Sequence, residues 1–348
     1  MVYTHLNNIL QFHHMFRHKK IFSFPVSHYT VYKPSENSFQ VKSYWSLPYK
    51  EHLSEASSDI SRIRSKIENT VDLHLRSDVP IGLTLSAGLD STILCKYAKE
   101  RTNLSCYSLL HSVADKETQG INQTVSSWDL NHEYVPSEDV ENTESIDNLL
   151  RILDQPFRAT QTLYQYAIRE RAYRDGVKVL ITGDGADELF GGYNRYLIAN
   201  KYWKLIKHIP PSLTKFLIKS TNVLPKKSTA LLSSFLPLKF SGSKSDRLEK
   251  ALKKLSYIHD KNSFYSSMTK EWTSSDQIME FTNESNLTYE DLFNSENLTF
   301  EEAMMHADFL SYLPDDILCK VDRSSMYYSL ETRAPFLNKE LLEYAYKL

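Results

Sequence analysis

Cysteine, net charge and long apolar runs are all scarce in this chain of 348 residues. Its three cysteines, Cys95, Cys106 and Cys319, lie in apolar segments, so we predict buried small hydrophobes there rather than nucleophiles or metal ligands. With 41 basic and 43 acidic side chains the net charge is −2, and nothing in the sequence predicts a nucleic-acid surface. No apolar run approaches the roughly 20 residues that span a bilayer. The first residues also lack a secretory apolar core, so the predicted compartment is the cytoplasm.

A loop of small residues joins a predicted strand, residues 81–85, to a predicted helix, residues 92–100. The loop reads Ser86-Ala87-Gly88-Leu89-Asp90-Ser91. Backbone N–H groups at a helix N-terminus are unpaired, Gly88 permits close approach of an anion, and serine hydroxyls can donate, so this pattern predicts a phosphate site.

Asp90 has the wrong charge for a phosphate site unless a hard cation lies between its carboxylate and the phosphate oxygens. Mg²⁺ is usually held by one or two carboxylates together with substrate phosphates, so we interpret Asp90 as a magnesium ligand. The alternative is an ordinary strand-to-helix turn in which Asp90 and Ser91 cap the helix.

A second, acidic loop follows another predicted buried strand at residues 177–182. It reads Gly183-Asp184-Gly185-Ala186-Asp187-Glu188-Leu189-Phe190-Gly191-Gly192-Tyr193. Open α/β sheets bind ligands at the carboxyl ends of their strands, so Asp187 could supply the second magnesium carboxylate. A solvated acidic turn that caps the next helix is the weaker alternative, because the flanking segments are strongly apolar.

A third block lies at residues 312–323 and is followed by Met326 and by Glu331-Thr332-Arg333-Ala334-Pro335-Phe336-Leu337. In order and approximate spacing, the three blocks resemble the pyrophosphatase-type ATP site of the asparagine synthetase family. That family has a Ser-Gly-Gly-x-Asp-Ser loop and a second loop of the form Gly-(Glu/Asp)-Gly-x-Asp-Glu-(Leu/Val)-Phe-Gly-Gly-Tyr. The resemblance covers most of residues 50–348.

Strands that alternate with helices predict an α/β fold with a parallel sheet. The resemblance implies that this fold is adenine-nucleotide alpha-hydrolase-like, the ATP pyrophosphatase type, with a mainly helical C-terminal part. Residues 28–32 and 39–45 alternate like two strands of a hairpin around the turn 34–37. In the family such a hairpin closes a glutaminase domain. We therefore predict a glutaminase remnant at residues 1–50 and a synthetase-like ATP-binding domain, truncated at its C-terminus, at residues 51–348.

The resemblance implies ATP-dependent amide formation on aspartate to give asparagine through an acyl-adenylate, with release of AMP and pyrophosphate. Two alternatives are amide or lactam formation on another small carboxylate, as in the β-lactam synthetase branch, and a non-catalytic nucleotide-binding subunit or fragment. The chain begins Met1-Val2, without the family's nucleophilic cysteine, so ammonia from a separate glutaminase is the expected nitrogen source. No nucleic acid or membrane is expected as a partner, and a homodimer is one assembly left open.

The resemblance also assigns roles to individual residues. Asp90 and Asp187 match the Mg²⁺ ligands, and Asp184 matches an acid implicated in acyl-adenylate formation. Four further catalytic candidates belong to the C-terminal signature, although buried ion pairs that brace the site would give the same pattern; they are Lys320, Asp322, Glu331 and Arg333. The implied ATP-binding residues are Leu85, Ser86, Ala87, Gly88, Asp90, Ser91, Leu109, Thr182 and Gly183.

Three departures from the family pattern stand out. Ala87 replaces the usual second glycine of the first loop, and Asp184 is one methylene shorter than the glutamate of many family members. The chain also stops at Leu348, whereas the family continues with a segment that carries a lysine thought to stabilise pyrophosphate, a cation worth several kcal/mol to the transition state. A gene fragment, one piece of a split enzyme and a silent paralogue all fit this last departure.

Two weaker patterns favour ordinary surface roles. His14 and His18 have the i, i+4 spacing of a metal pair, but no third ligand accompanies them, so surface or interdomain histidines are the preferred interpretation. The basic residues of 201–219 and of 225–245 could contact anionic lipid, yet Pro210 and Pro211 divide the pattern, so solvated helices and loops are preferred.

Overall fold

The computed structural model describes residues 24, 26–48, 60–140, 143–153, 160–208, 255–269 and 289–348. The chain divides into two compact units. The hairpin unit comprises Met1–Trp45 and Tyr193–Asp308, and the sheet unit comprises Ser46–Gly192 and Phe309–Leu348. The histidine pair 14 and 18 and the basic segment 225–245 lie outside the described residues.

The described residues form seven strands and twelve α-helices. The strands are β1 (His28–Lys33), β2 (Ser38–Ser43), β3 (Ile81–Thr84), β4 (Ser105–Leu110), β5 (Asn131–Pro136), β6 (Val179–Ile181) and β7 (Glu331–Arg333). The helices are α1 (Ile60–His74), α2 (Leu89–Lys99), α3 (Lys116–Trp128), α4 (Thr143–Leu153), α5 (Thr160–Arg174), α6 (Ala186–Phe190), α7 (Asn194–Ile206), α8 (Lys261–Thr269), α9 (Glu290–Phe293), α10 (Phe300–Leu310), α11 (Cys319–Tyr327) and α12 (Lys339–Ala345). None of the described helices is both long and apolar enough to cross a bilayer.

Five parallel strands build the sheet unit in the order β5-β4-β3-β6-β7. β3 and β6 are short runs that are apolar and buried except at Thr84, as expected for central strands with helices on both faces. The strand order reverses at β3, which lies between β4 and β6, and a reversal of this kind opens a crevice at the carboxyl ends of the strands. The predicted α/β fold with a parallel sheet and a helical C-terminal part is confirmed.

The fifth strand, β7, is the element that the sequence did not reveal. The resemblance implies a mainly helical C-terminal part, but Glu331–Arg333 extends along the edge of β6. Its ends are fixed by hydrogen bonds from Glu331 N to Lys178 O, 2.9 Å, and from Thr182 N to Arg333 O, 2.9 Å. Three residues are too few to show strand alternation, so only the pairing partner reveals this element.

The cysteines lie largely as the sequence predicts. Cys95 and Cys106 are fully buried, on α2 and β4, with their sulfur atoms 3.8 Å apart, and Cys319 is half-buried at the start of α11. The first two therefore behave as small core residues.

The hairpin unit contains the predicted β1–β2 hairpin, in which His28 pairs with Ser43 and Lys33 with Ser38. It also contains α7, α8, α9 and the part of α10 that ends at Asp308. The predicted domain division at residue 50 stays a prediction. An aromatic cluster supports these helices, with ring centroids 5.7–6.3 Å apart. It comprises the half-buried Trp203 and the buried Phe264, Phe293 and Phe300.

Candidate active site

The Ser86–Ser91 loop is held in a closed turn by its own two serines. Ser86 N donates to Ser91 Oγ at 3.0 Å, and Gly88 N donates to Ser86 Oγ at 3.1 Å. The Ser91 hydroxyl lies 3.1 Å from Ser86 O and 3.3 Å from Gly88 O. Gly88 is the N-cap residue of α2 and no side chain caps the helix, so the alternative in which Asp90 and Ser91 act as N-caps is wrong. The start of α2 thus presents backbone N–H groups to a ligand.

Two carboxylates meet beside this loop. Asp90 lies in the first turn of α2 and Asp187 in the first turn of α6. Burial raises the pKa of the Asp90 carboxyl, and the negative charge of Asp187 raises it further. Two like charges in a partly buried site repel each other unless a cation separates them.

The donor set fits magnesium rather than a metal with a full protein cage. Among the described residues, no group of three or more His, Cys, Asp and Glu side chains is placed to hold a metal ion. Two carboxylates with room for phosphate oxygens match the usual Mg²⁺ arrangement. Asp90 and Asp187 are therefore the residues that would hold Mg²⁺ between the loop and a nucleotide.

Two glycines shape the acidic loop around Asp187. Gly185, at the start of α6, has φ +88°, a conformation that other residues rarely adopt. A Cβ added at Gly192 would overlap the Asp187 carboxylate, and Gly192 N donates to Asp187 O at 3.0 Å. The end of the loop therefore folds back onto the proposed metal ligand.

Ala87, the departure in the first loop, has a matching partner in α3. A Cβ added at Gly120 would lie 2.8 Å from Ala87 Cβ. The alanine methyl thus occupies the space that the missing side chain of Gly120 leaves free, and the loop keeps its closed turn with this substitution.

Replacing Gly120 by alanine should reverse the usual effect of that change in a helix. Alanine normally stabilises a helix interior by about 1 kcal/mol relative to glycine. Here the contact with Ala87 should destabilise the protein by about 1–3 kcal/mol instead. Chemical denaturation of Gly120→Ala, alone and with Ala87→Gly, measures this. The double variant should recover at least the lost stability, and a stabilising Gly120→Ala single variant would contradict the packing.

The predicted nucleotide residues lie at the carboxyl ends of β3, β4 and β6. Leu85 N donates to Tyr107 O at 2.8 Å, and Leu85 O accepts from the Ser108 hydroxyl at 2.6 Å. His132 Nε2 lies 2.8 Å from Ser108 Oγ, and because the Ser108 proton goes to Leu85, the histidine is the donor. Burial lowers the pKa of His132 to about 4, so the histidine that donates to Ser108 is neutral near pH 7. Leu109 is half-buried on β4.

A cavity of about 150 Å³ lies at the carboxyl ends of β6 and β7, beside α11. Two predicted catalytic residues, Asp184 and Asp322, contribute to its wall together with Thr182. The remaining lining residues are Leu318, Val321, Ser325, Met326, Leu330, Thr332 and Ala334. The structure therefore brings the acidic loop and the C-terminal signature together around one cavity.

The other three catalytic candidates do not line this cavity. Lys320 Nζ donates to Asp316 at 2.6 Å, one helical turn earlier. Arg333 pairs with Glu331, Nε to Oε1 at 2.7 Å, and donates from NH1 to His74 O at 2.7 Å at the end of α1. Side chains alternate along a strand, and Thr332 is the β7 residue that faces the cavity. Arg333 therefore connects β7 to the end of α1, and its ion pair with Glu331 is not buried, because the Glu331 side chain is exposed.

Arg169 is the residue of this region that the sequence patterns missed. It is only 2 % exposed, and its Nε donates to Ser325 Oγ at 2.6 Å. Burial lowers the pKa of Arg169 to about 10, and the charge of Asp184 acts in the opposite direction. The sequence does contain a sign of this residue. Arg169 lies three residues from both Tyr166 and Ala172, which are buried on α5, so it is a cation at a position where helical spacing predicts an apolar side chain.

Comparisons with known proteins identify the family that this chain resembles. A sequence model of the asparagine synthase family matches residues 62–348. Asparagine synthetase [glutamine-hydrolyzing] 1 of Bacillus subtilis (strain 168) is 29% identical over 93% of this chain and 49% of its own length. A provisionally named asparagine synthetase 2 of Methanocaldococcus jannaschii is 31% identical over 81% of this chain and 52% of its own length.

Among solved structures, the comparison finds an NH3-dependent NAD synthetase from Campylobacter jejuni, which matches over 56% of this chain and 93% of its own, with 14% identity and a TM-score of 0.29. The chain spans about half the length of the curated relatives that it matches. On the family match over residues 62–348, this chain belongs to the asparagine synthase family.

Proposed function

We propose that this chain is the synthetase part of an ATP-dependent, amide-forming ligase that converts aspartate to asparagine. In this proposal the side-chain carboxylate of aspartate attacks the α-phosphorus of Mg-ATP, pyrophosphate leaves, and β-aspartyl-AMP forms. Ammonia then attacks the acyl carbon, the bond from that carbon to the phosphate oxygen breaks, and AMP leaves.

One observation carries the proposal: the Ser86–Ser91 loop, the carboxylates of Asp90 and Asp187, and the cavity that Asp184 lines (the Asp184 cavity) lie next to one another at the carboxyl ends of β3 and β6. A Cβ at Gly183 would lie 3.4 Å from Asp90 Cβ, so the segment that leads to Asp184 passes directly beside the start of α2. If the phosphates of a nucleotide bind at the start of α2, the parts of the nucleotide next to those phosphates would lie beside the cavity.

The chain's own residues have distinct tasks in this reaction. Because Ser86 N and Gly88 N are already hydrogen-bonded within the loop, the backbone N–H groups at the start of α2 are the ones that bind phosphate oxygens. These groups favour the negative charge that accumulates on leaving pyrophosphate. Mg²⁺, held by Asp90 and Asp187, would neutralise further phosphate charge. In this proposal Asp184, which lines the cavity, acts in acyl-adenylate formation and, as a carboxylate, then takes the proton that the attacking ammonia must lose.

The source of ammonia is also part of the proposal. The relatives are named as glutamine-hydrolysing enzymes, and we expect a glutaminase partner to deliver ammonia to this chain. Added ammonium should therefore replace glutamine in an assay of the chain alone.

Pyrophosphate and AMP formation by the purified chain with Mg-ATP, aspartate and ammonium tests the proposal. Glutamate, one methylene longer, serves as the matched substrate control, and glutamine replaces ammonium in a second control. The proposal predicts pyrophosphate only when aspartate is present. Formation of ADP and phosphate, or bound ATP without any product, would contradict it, and turnover of another carboxylate alone would reassign the substrate.

A further inference from the structure

A buried cation is built into the wall behind the Asp184 cavity. Arg169 is 2 % exposed, donates from NH1 to Gln165 O at 2.8 Å, and donates from Nε to Ser325 Oγ at 2.6 Å. Burying a guanidinium is unfavourable unless its N–H groups have hydrogen-bond acceptors. Here one of those acceptors is a hydroxyl that itself lines the cavity.

The Ser325 hydroxyl receives two hydrogen bonds. Besides Arg169, Thr332 Oγ1 donates to Ser325 Oγ at 2.6 Å. A hydroxyl has two lone pairs and one proton, so both lone pairs are occupied and only the proton is left to donate. Within the part of the chain that the structure describes, no hydrogen bond uses that proton, and Ser325 is 1 % exposed. The Ser325 hydroxyl can therefore donate its proton to a group that binds inside the cavity.

A second buried hydroxyl lines the same space. Thr182 is 4 % exposed, and its Oγ1 has no hydrogen-bond partner among the described residues. A buried hydroxyl without a partner is costly, and a ligand that accepts from it removes that cost. Thr182 and Ser325 thus place two hydroxyl groups in a cavity whose wall also contains Asp184.

We propose that Arg169 is a positioning residue, which fixes the Ser325 hydroxyl as a donor to the acyl oxygen of the substrate while Thr182 donates from the other side. This inference rests on the proposed amide-forming reaction. The acyl oxygen gains negative charge when ammonia adds to the acyl carbon, and donors fixed in advance at that position stabilise the transition state. Without Arg169, the Ser325 hydroxyl would regain a free lone pair and its orientation would no longer be determined.

Binding of β-aspartyl sulfamoyl adenosine, a stable mimic of the acyl-adenylate, tests the proposal without turnover. We expect Ser325→Ala and Arg169→Gln each to weaken its binding by roughly 5- to 10-fold, while ATP binding changes less than about twofold. The matched control is Arg171→Gln, which removes an exposed arginine of the same helix that pairs with Asp175 and Glu133, and it should leave binding unchanged.

Steady-state kinetics distinguishes a positioning role of Arg169 from a general loss of structure. In the ammonium-dependent reaction we expect kcat to fall roughly 100-fold in both variants, with KM for ATP nearly constant. Because both changes act on one hydrogen bond, the double variant should be no more than about twofold worse than the poorer single variant. If Arg169→Gln does not fold, Thr332→Val gives the same test, since it also frees a lone pair on Ser325.

The outcomes are distinguishable. A wild-type chain that does not bind the mimic contradicts the proposed function and this inference with it. A wild-type chain that binds the mimic, with variants that bind equally well and keep kcat, overturns the role of Arg169 and Ser325 alone. Multiplied losses in the double variant would also overturn it, because they would show two independent effects.

Discussion

Asp90→Ala is expected to lower pyrophosphate formation by roughly three orders of magnitude, because a metal that neutralises phosphate charge contributes several kcal/mol to the transition state. Asp187→Ala should have an effect of similar size. Asp90→Asn should be nearly as inactive, since an amide keeps the shape of the side chain but loses the charge that holds Mg²⁺. Steady-state kinetics with varied Mg-ATP measures all three variants.

The matched control for this prediction is Asp78→Asn. Asp78 is an exposed aspartate just before the amino end of β3, whereas Asp90 follows its carboxyl end. Activity should be unchanged in this control. An Asp90→Ala variant that keeps more than about a tenth of the activity would remove Asp90 from the metal site.

The acidic pair also predicts a pH dependence. Burial and Asp187 raise the pKa of Asp90, so this carboxyl takes up its proton at a higher pH than an ordinary aspartate does. Protonation abolishes its ability to hold a cation, so Mg²⁺ affinity should decline as the pH falls, beginning above the usual aspartate range. Titration of Mg²⁺ binding at several pH values measures this, and in Asp187→Asn the decline should begin at a lower pH, because only the effect of burial on the Asp90 pKa then remains.

Asp308→Ala is expected to lower the free energy of unfolding of the hairpin unit by about 3–5 kcal/mol. Asp308 is fully buried, and its Oδ2 accepts from Arg195 at 2.7 Å and from the Tyr196 hydroxyl. Its Oδ1 accepts from the Tyr265 hydroxyl at 2.8 Å. Removing the carboxylate leaves three donors, Arg195, Tyr196 and Tyr265, without this acceptor. It also leaves the charge of Arg195 without its counterion.

Chemical denaturation, followed by tryptophan fluorescence, measures this loss because Trp203 lies on α7 of the same unit. Asp291→Ala is the control, since Asp291 is an exposed acid on α9 and its removal should cost less than about 0.5 kcal/mol. A loss below about 1 kcal/mol for Asp308→Ala would show that the network contributes little to this unit.

The parts of the molecule that the sequence predicted are those with local signals. A small-residue loop between an apolar strand and a helix identified Ser86–Ser91, and alternation around a turn identified the β1–β2 hairpin. Hydrophobic periodicity is a property of neighbouring residues, so it reports such elements well.

The rest depends on contacts between distant residues. β7 is defined by its pairing with β6, and the match between Ala87 and Gly120 is a packing relation between a loop and a separate helix. The directions of the Glu331 and Arg333 side chains, away from the cavity, follow from the same strand. No local pattern encodes these relations, because each depends on where the folded chain places a second segment.

Transfer of ¹⁸O from the side-chain carboxylate of aspartate to AMP is the most direct test of the central claim. If that carboxylate attacks the α-phosphorus and ammonia then displaces AMP, doubly labelled aspartate should leave one ¹⁸O in AMP and one in the amide of asparagine. Mass spectrometry of the products reads both positions. Unlabelled AMP, or ¹⁸O in inorganic phosphate, would contradict the proposed acyl-adenylate route.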